Sequence, residues 1–105
     1  MKEYTLVYSQ NFQQSLSNLI DEWENELLLS PDSIKRFVGA IQKSLELTKT
    51  FPKMYEEVSK IYDMDTPTYR IVIGKSYALF YRINHERKEI FVGRIFQSKQ
   101  MKIDF

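Results

Sequence analysis

The sequence predicts an α+β fold in which an N-terminal strand is followed by an antiparallel helical hairpin and then by an antiparallel meander sheet. Three patterns predict it: an alternating apolar segment at the start, two apolar stripes with a helical repeat, and three strand-like segments separated by short turns. The 105 residues match the usual length of one domain and contain neither a repeat nor a linker. Residues 1–105 are therefore expected to form a single domain.

The N-terminal segment predicts a strand and then a helix. Tyr4, Leu6 and Tyr8 alternate with the residues between them, which is typical of a strand. Ser9 offers a side-chain oxygen to the unpaired N–H groups of a following helix. Apolar residues then recur at steps of three and four and form one stripe: Phe12, Leu16, Leu19, Ile20, Trp23 and Leu27.

A second helix is predicted to begin at Ser30-Pro31, because serine caps a helix and proline suits its first position. Its end is predicted at Phe51-Pro52, since proline disfavours helical geometry in the residue before it. The short link between the two helices implies an antiparallel hairpin. Gly39 lies inside the second helix, and we expect it to allow close packing against the first. The second stripe comprises Ile34, Phe37, Val38, Ile41 and Leu45.

The second half of the chain predicts an irregular segment and then a three-stranded sheet. Residues 53–68 show no regular pattern. Strands are predicted over residues 69–73, 77–83 and 89–96, and the tight turns between them require antiparallel neighbours. One face of this sheet is expected to receive the helical hairpin.

The composition excludes several classes of function. There is no cysteine, which excludes disulfides, thiolate nucleophiles and zinc–sulfur sites and fits a reducing cytosol. No apolar N-terminal segment or membrane-length apolar run is present, so neither a signal peptide nor a membrane span is expected. His85, the single histidine, lies in a predicted turn, and a catalytic triad is therefore not expected. Phosphate-binding and metalloprotease motifs are also absent.

Charge is unevenly divided between the two halves. Residues 1–52 carry five Lys/Arg against seven Asp/Glu, a balance of −2, whereas residues 53–105 carry ten against seven, a balance of +3. An anionic partner would therefore meet the second half. A solvated surface is the alternative interpretation of this modest asymmetry.

Three arginines lie within predicted strands, which is unusual because arginine is rarely buried without a partner. Strand phase groups them with these neighbours: Arg70 with Val72, Arg82 with Ala78 and Phe80, and Arg94 with Ile90, Val92 and Phe96. If the phases converge, one sheet face presents arginines among aromatic rings, which suits recognition of phosphates and bases. The alternative is solvent exposure, with the arginine stems covering apolar surface.

The three strand segments resemble those of the RelE/ParE toxin superfamily of bacterial type II toxin–antitoxin modules. The resemblance rests on Tyr69–Ile71, on Ser76–Ile83 and on Ile90–Lys99, and the order of elements matches over nearly the whole chain. It implies a RelE/ParE-like fold and a toxin. The first hypothesis is a cytoplasmic, ribosome-dependent mRNA endonuclease that needs neither metal nor cofactor and inhibits translation. The alternatives are a gyrase-poisoning toxin and a catalytically degenerate toxin that binds an antitoxin.

The resemblance also implies partners and site residues. An antitoxin protein is expected to form a hetero-oligomer with the chain, which would act on ribosome-bound mRNA or, in the alternative, on DNA gyrase, without a membrane. The expected catalytic residues are Arg70, Arg94, Lys99 and Tyr81. The expected nucleic-acid contacts are Arg82, Gln97, Lys53 and Lys60.

The sequence departs from the family pattern at positions that matter for chemistry. Ala78 and Gln97 stand where the family tends to have arginine and histidine, and Lys99 takes the place of a later arginine. Cleavage through a 2′-hydroxyl needs a proton acceptor, a charge-stabilising group and a leaving-group acid. An amide such as that of Gln97 does not accept a proton near neutral pH. The loop carboxylates that could replace this base are Glu56, Glu57 and Asp63.

Overall fold

The computed structural model describes residues 3–97 and Phe105. It confirms the α+β class, with one strand before two helices and the remaining strands after them. The elements are β1 (Thr5–Tyr8), α1 (Gln10–Asn25), α2 (Pro31–Thr50), β2 (Glu56–Glu57), β3 (Tyr69–Ile73), β4 (Tyr77–Asn84) and β5 (Glu89–Gln97). They form one sheet in the order β1-β5-β4-β3-β2. β1 pairs with β5 in parallel, and every other pair is antiparallel.

Both helices begin where their serine caps predict. The Ser9 hydroxyl accepts a hydrogen bond from the Phe12 N–H at 2.9 Å, and the Ser30 hydroxyl accepts one from the Ser33 N–H at 3.1 Å. α2 ends at the predicted place, with Phe51 as its C-cap. In the described part of the chain, neither helix is long and apolar enough to cross a membrane.

Two details of the helices differ from the prediction. α1 ends at Asn25, so Leu27 lies beyond the helix and is 52% exposed instead of extending the apolar stripe. Leu28 in the link has a φ of 51°, a left-handed conformation that cannot continue a helix. An added Cβ on Gly39 would meet nothing within 4 Å, so the predicted close packing at Gly39 is wrong.

The main core lies between the helices and one side of the sheet, which is called here the inner face. Trp23 is 1% exposed, and its indole Nε1 donates a hydrogen bond of 2.9 Å to the Tyr77 hydroxyl. The ring of Phe37 packs against both. The sheet contributes Ile71, Ile73, Tyr77, Leu79, Tyr81, Ile90, Val92 and Ile95.

Both edge strands of the sheet, β1 and β2, are short. β2 is a strand of two residues inside the segment that the sequence predicts to be irregular, and it places Glu56 opposite Arg70. β1 pairs with β5 only as far as Val92. Beyond Val92, α1 lies beside β5. Ser15 contributes to this, since its hydroxyl accepts a hydrogen bond from the Ile95 N–H at 3.1 Å.

An irregularity in β5 changes the predicted faces. Leu79 pairs with Ile95, but Tyr81 pairs with Val92, so β5 carries one extra residue across this step. Val92 therefore points to the inner face, whereas Phe96 points to the opposite one. The predicted common face for Arg94, Ile90, Val92 and Phe96 is wrong for this reason.

Candidate active site on the outer face of the sheet

The side of the sheet opposite the helices, called here the outer face, carries a second and smaller apolar cluster. Val58, Phe80 and Phe96 are buried in it, and Tyr62 and Phe105 pack against them. Because residues alternate along β3 and β4, Arg70 and Arg82 also point to this face. The expected grouping of arginines with aromatic rings is therefore found for these two.

Arg70 is held by two partners from the preceding loop. Its Nη2 lies 2.6 Å from Oε1 of Glu56, and its Nη1 donates a hydrogen bond of 2.8 Å to the Tyr62 hydroxyl. Desolvation opposes the charged form, but the contacts with Tyr62 and Glu56 outweigh it and raise the pKa of Arg70. Its Nε is buried with no hydrogen-bond partner among the described residues. The guanidinium is thus fixed as a cation beside a carboxylate and a phenol.

The structure distinguishes the three loop carboxylates that could act as a base. Glu56 touches Arg70 and its side chain is 59% exposed, so solvent or a substrate can reach it. Hydrogen bonds from the Ser59 side chain, the Ser59 N–H and the Thr68 N–H instead lower the pKa of Glu57. Asp63 is exposed and has a φ of 55°. Glu56 is the carboxylate placed beside the Arg70 cation.

Arg82 lies next to an aromatic ring from the C-terminal end of the described chain. Its guanidinium carbon is 4.0 Å from the centroid of Phe105, and its Nε donates a hydrogen bond of 3.0 Å to the Thr68 hydroxyl. Burial lowers the pKa of Arg82. The Phe105 ring rests on Gly93, where an added Cβ would lie 2.6 Å from the ring. Gly93 thus makes room for the ring that Arg82 stacks on.

Tyr81, one of the expected catalytic residues, lies on the inner face and is 0% exposed. Its hydroxyl donates a hydrogen bond of 2.6 Å to the carbonyl of Pro52. Burial, with a smaller effect of Tyr69, raises the pKa of Tyr81. The structure therefore does not bring Tyr81 together with Arg70 and Arg82, and it gives this tyrosine a structural contact to the segment after α2.

The remaining expected site residues are dispersed. Arg94 and Gln97 line a cleft of about 370 Å³ between the end of β5 and α1. The Arg94 guanidinium carbon is 5.8 Å from the centroid of Phe96. Lys53 and Lys60 are exposed in the loop on either side of β2. Lys99 lies outside the described residues.

A family model described as "ParE toxin of type II toxin-antitoxin system, parDE" matches residues 6–101, which is most of the chain. The chain belongs to the ParE toxin family. No protein with a curated description matches this ParE-family chain in sequence.

Solved structures share the fold of this ParE-family chain. A chain of the RelBE2 toxin–antitoxin complex from Mycobacterium tuberculosis aligns with a TM-score of 0.57 at 16% identity, covering 90% of this chain and 98% of that one. A chain of the intact Escherichia coli RelBE complex aligns with a TM-score of 0.53 at 16% identity, covering 92% and 99%. The predicted RelE/ParE-like fold is thereby confirmed.

Sequence reasoning missed two contributors to this site. Tyr62 lies in a segment without periodicity, and Thr68 precedes β3, so neither position carried a signal of its own. The pairing of β2 with β3 places the intervening loop over the outer face. Tyr62 thereby meets Arg70, and Thr68 meets Arg82. The one sequence signal for this arrangement is the acidic pair Glu56-Glu57, which precedes the strand that carries Arg70.

Proposed function

We propose that this ParE-family chain is the toxin of a type II toxin–antitoxin system and that it cuts ribosome-bound mRNA. The observation that carries the proposal is the cluster of Glu56, Arg70 and Tyr62 on the outer face, with Arg70 within 2.8 Å of both partners. These three groups are of the kinds that cleavage through a 2′-hydroxyl needs. The reaction would proceed as the family resemblance implies, with the chain's own residues as acid and base.

Each group has one task in the proposed reaction. The 2′-oxygen of the RNA attacks the neighbouring phosphorus, and the Glu56 carboxylate accepts the proton that this 2′-hydroxyl loses. Arg70 stabilises the added negative charge on the phosphoryl oxygens. The bond to the 5′-oxygen then breaks, and that oxygen takes the proton of the Tyr62 hydroxyl, whose oxygen accepts the hydrogen bond from Arg70. Return of the proton from Glu56 to Tyr62 restores both groups and leaves a cyclic phosphate.

The other predicted residues contribute charge and contacts in this proposal. Arg82 lies on the same face and offers a second cation to the RNA backbone. Arg94 and Lys99 are proposed to add positive charge near the end of β5, and Gln97 with Lys53 and Lys60 to contact RNA. Tyr81 is left out of the catalytic set because its hydroxyl is committed to Pro52 inside the core.

The test is a translation reaction programmed with a defined mRNA. The purified protein should cut the mRNA only when ribosomes are present, and Arg70→Ala should abolish the cut. Lys75→Ala, in the exposed turn between β3 and β4, is the matched control and should cut normally. Intact ribosome-bound mRNA in the presence of a folded, growth-inhibiting protein would exclude the nuclease.

The family match favours one second candidate, a gyrase-poisoning toxin without hydrolytic activity. Its support is that the matching family model is the ParE one. In that case expression should produce DNA breaks trapped on gyrase, and Glu56 would be dispensable. The overexpressed, folded protein could also produce neither DNA breaks nor mRNA cuts. The interpretation would then be a catalytically degenerate toxin that acts as a binding partner.

We also infer a cytoplasmic antitoxin partner. The support is that the two solved structures compared above are both toxin–antitoxin complexes. A tagged chain expressed with its neighbouring gene should co-purify with the product as a hetero-oligomer. Recovery of the tagged chain by itself under those conditions would count against this partner.

A further inference from the structure

A groove of about 630 Å³ lies away from the outer face, where the segment after α2 meets the turn between β4 and β5. It is called here the basal groove, and of its lining residues only Lys53, a proposed RNA contact, takes part in the proposed nuclease reaction. Its lining includes Phe51, Pro52 and Met54, which are apolar, and Lys53, His85 and Lys88, which are polar or charged.

The floor of the basal groove is apolar and exposed. Phe51 is 60% exposed and Met54 is 46% exposed, although both belong to residue types that favour the interior. Such a patch, when it is concave and rimmed by polar groups, marks an interaction site more often than an isolated surface residue does.

The backbone under this floor is fixed. The Phe51 N–H donates to the Leu47 carbonyl at the end of α2, and the Met54 N–H donates to the Phe51 carbonyl. The Pro52 carbonyl accepts the hydrogen bond of the buried Tyr81. The exposed apolar side chains are therefore presented by a preorganised segment, which lowers the entropic cost of binding.

The rim of the groove is cationic. Lys53 and Lys88 stand on it, and the Lys88 Nζ lies 5.1 Å from the centroid of the Tyr4 ring. The Tyr4 hydroxyl is 3.0 Å from Nδ1 of His85, which orients both rings. Thr50, which also lines the groove, donates a hydrogen bond to the Glu3 carboxylate. Among the described residues that line the groove, Lys53 and Lys88 are cationic and none is acidic.

We propose that the basal groove docks an acidic peptide segment of a partner protein. One large apolar side chain of that segment fills the floor over Phe51 and Met54, and carboxylates on either side of it meet Lys53 and Lys88. A nucleic-acid strand suits the groove less well, because the apolar floor would leave the polar edges of a base without partners. The lysines provide point charges that suit single carboxylates.

Binding can be tested with the full chain and synthetic peptides. The probe is a fluorescein-labelled hexapeptide Asp-Glu-Leu-Phe-Glu-Asp, and amide spectra of isotope-labelled protein locate its binding site. The amides of Phe51, Lys53 and Met54 and those of residues 85–88 should shift. Two control peptides, one with lysine in place of every acid and one with serine in place of Leu and Phe, should not bind. A single-stranded RNA hexamer that shifts the same amides, when the peptide does not, would overturn the proposal.

Paired variants separate the floor from the rim. Phe51→Ser with Met54→Ser should weaken the peptide about ten-fold or more, because the buried apolar area is lost. Lys53→Glu should weaken it at low salt and less so at high salt. The matched controls are Ile61→Ser, which is 62% exposed in the loop after β2, and Lys75→Glu, in the turn at the other end of β4.

The test of peptide binding to the basal groove is independent of the nuclease proposal, because it is carried out without mRNA or ribosomes. If the floor double variant loses its fold by circular dichroism, Lys53→Glu and the control peptides still decide the question. Unchanged affinity in Lys53→Glu at low salt, or equal loss in Lys75→Glu, would overturn the assignment of the groove to an acidic segment.

Discussion

Oε1 of Glu56 lies 2.6 Å from Nη2 of Arg70, and the two residues stand directly opposite each other on β2 and β3. Their side chains are 59% and 27% exposed, so water screens much of the attraction. Ion pairs of this kind add about 0–1 kcal/mol to stability. The pair therefore adds little to the stability of the fold, and in the proposed reaction it sets the Glu56 carboxylate beside the Arg70 cation.

Glu56→Gln should separate these two roles. If Glu56 is the proton acceptor, mRNA cleavage should fall by about a hundred-fold or more. The free energy of unfolding should change by less than about 1 kcal/mol. Cleavage rates and denaturant unfolding measure the two quantities, and Glu86→Gln, in the exposed β4–β5 turn, is the control. Cleavage that persists within a few-fold of the original would remove Glu56 from the proposed mechanism.

Tyr77→Phe tests the polar contact inside the main core. The substitution keeps the ring but removes the hydroxyl that accepts the Trp23 Nε1 hydrogen bond. An unpaired buried donor costs about 1–3 kcal/mol, and denaturant unfolding should show a loss of that size. Tyr8→Phe, on a ring that is 43% exposed, should change the stability by less than about 0.5 kcal/mol. Equal effects at both positions would contradict a special role for the Trp23–Tyr77 pair.

Gly39→Ala should stabilise the protein by about 1 kcal/mol, because alanine favours a helix interior more than glycine does. The new Cβ would meet nothing within 4 Å, so no steric cost offsets the gain. Thermal and denaturant unfolding measure the change. The reverse substitution at the exposed neighbour, Ala40→Gly, should cost a similar amount. A destabilised Gly39→Ala protein would show that this position makes a contact that the structure lacks.

Gly93→Ala should destabilise the protein by displacing the Phe105 ring, since its Cβ would lie 2.6 Å from that ring. Overpacking of this kind costs about 1–3 kcal/mol. In a Phe105→Ala background the obstacle is gone, and the cost of Gly93→Ala should shrink. A double-mutant cycle on the unfolding free energy measures this coupling. Additive effects would mean that Phe105 does not rest on Gly93 in solution.

Local signals at the ends of elements were sufficient to predict α2, because Ser30-Pro31 and Phe51-Pro52 each impose a specific backbone geometry. The same alternation that groups Phe80 with Arg82 requires Tyr81 between them to face the other way. Its position in the core could therefore have been read from the sequence. The resemblance to a toxin family gave Tyr81 a catalytic role that the strand phase does not support.

The rest of the site depends on pairing that a single sequence does not encode locally. β2 consists of two acidic residues without apolar alternation, and it becomes a strand only because β3 offers an edge at Tyr69 and Arg70. The extra residue in β5 changes the face of Phe96, and Gly93 is its one visible sign in the sequence. The sequence was therefore sufficient to name Glu56 as a candidate base. Its contact with Arg70 could be seen only in the folded structure.

Glu57→Gln should make the stability of the folded protein depend less on pH in the acidic range. Hydrogen bonds from Ser59 and Thr68 lower the pKa of Glu57 below its ordinary value of 4.5. A carboxyl with a lowered pKa in the folded state adds stability above its unfolded pKa, and this is lost as the pH falls through the folded value. The unmodified protein should therefore be the more stable of the two at neutral pH, and its advantage should shrink as the pH falls below 4.5. Thermal midpoints across that range measure the effect, with Glu24→Gln on the exposed side of α1 as control. Parallel curves for the Glu57→Gln and unmodified proteins would show that these hydrogen bonds do not favour the ionised carboxylate.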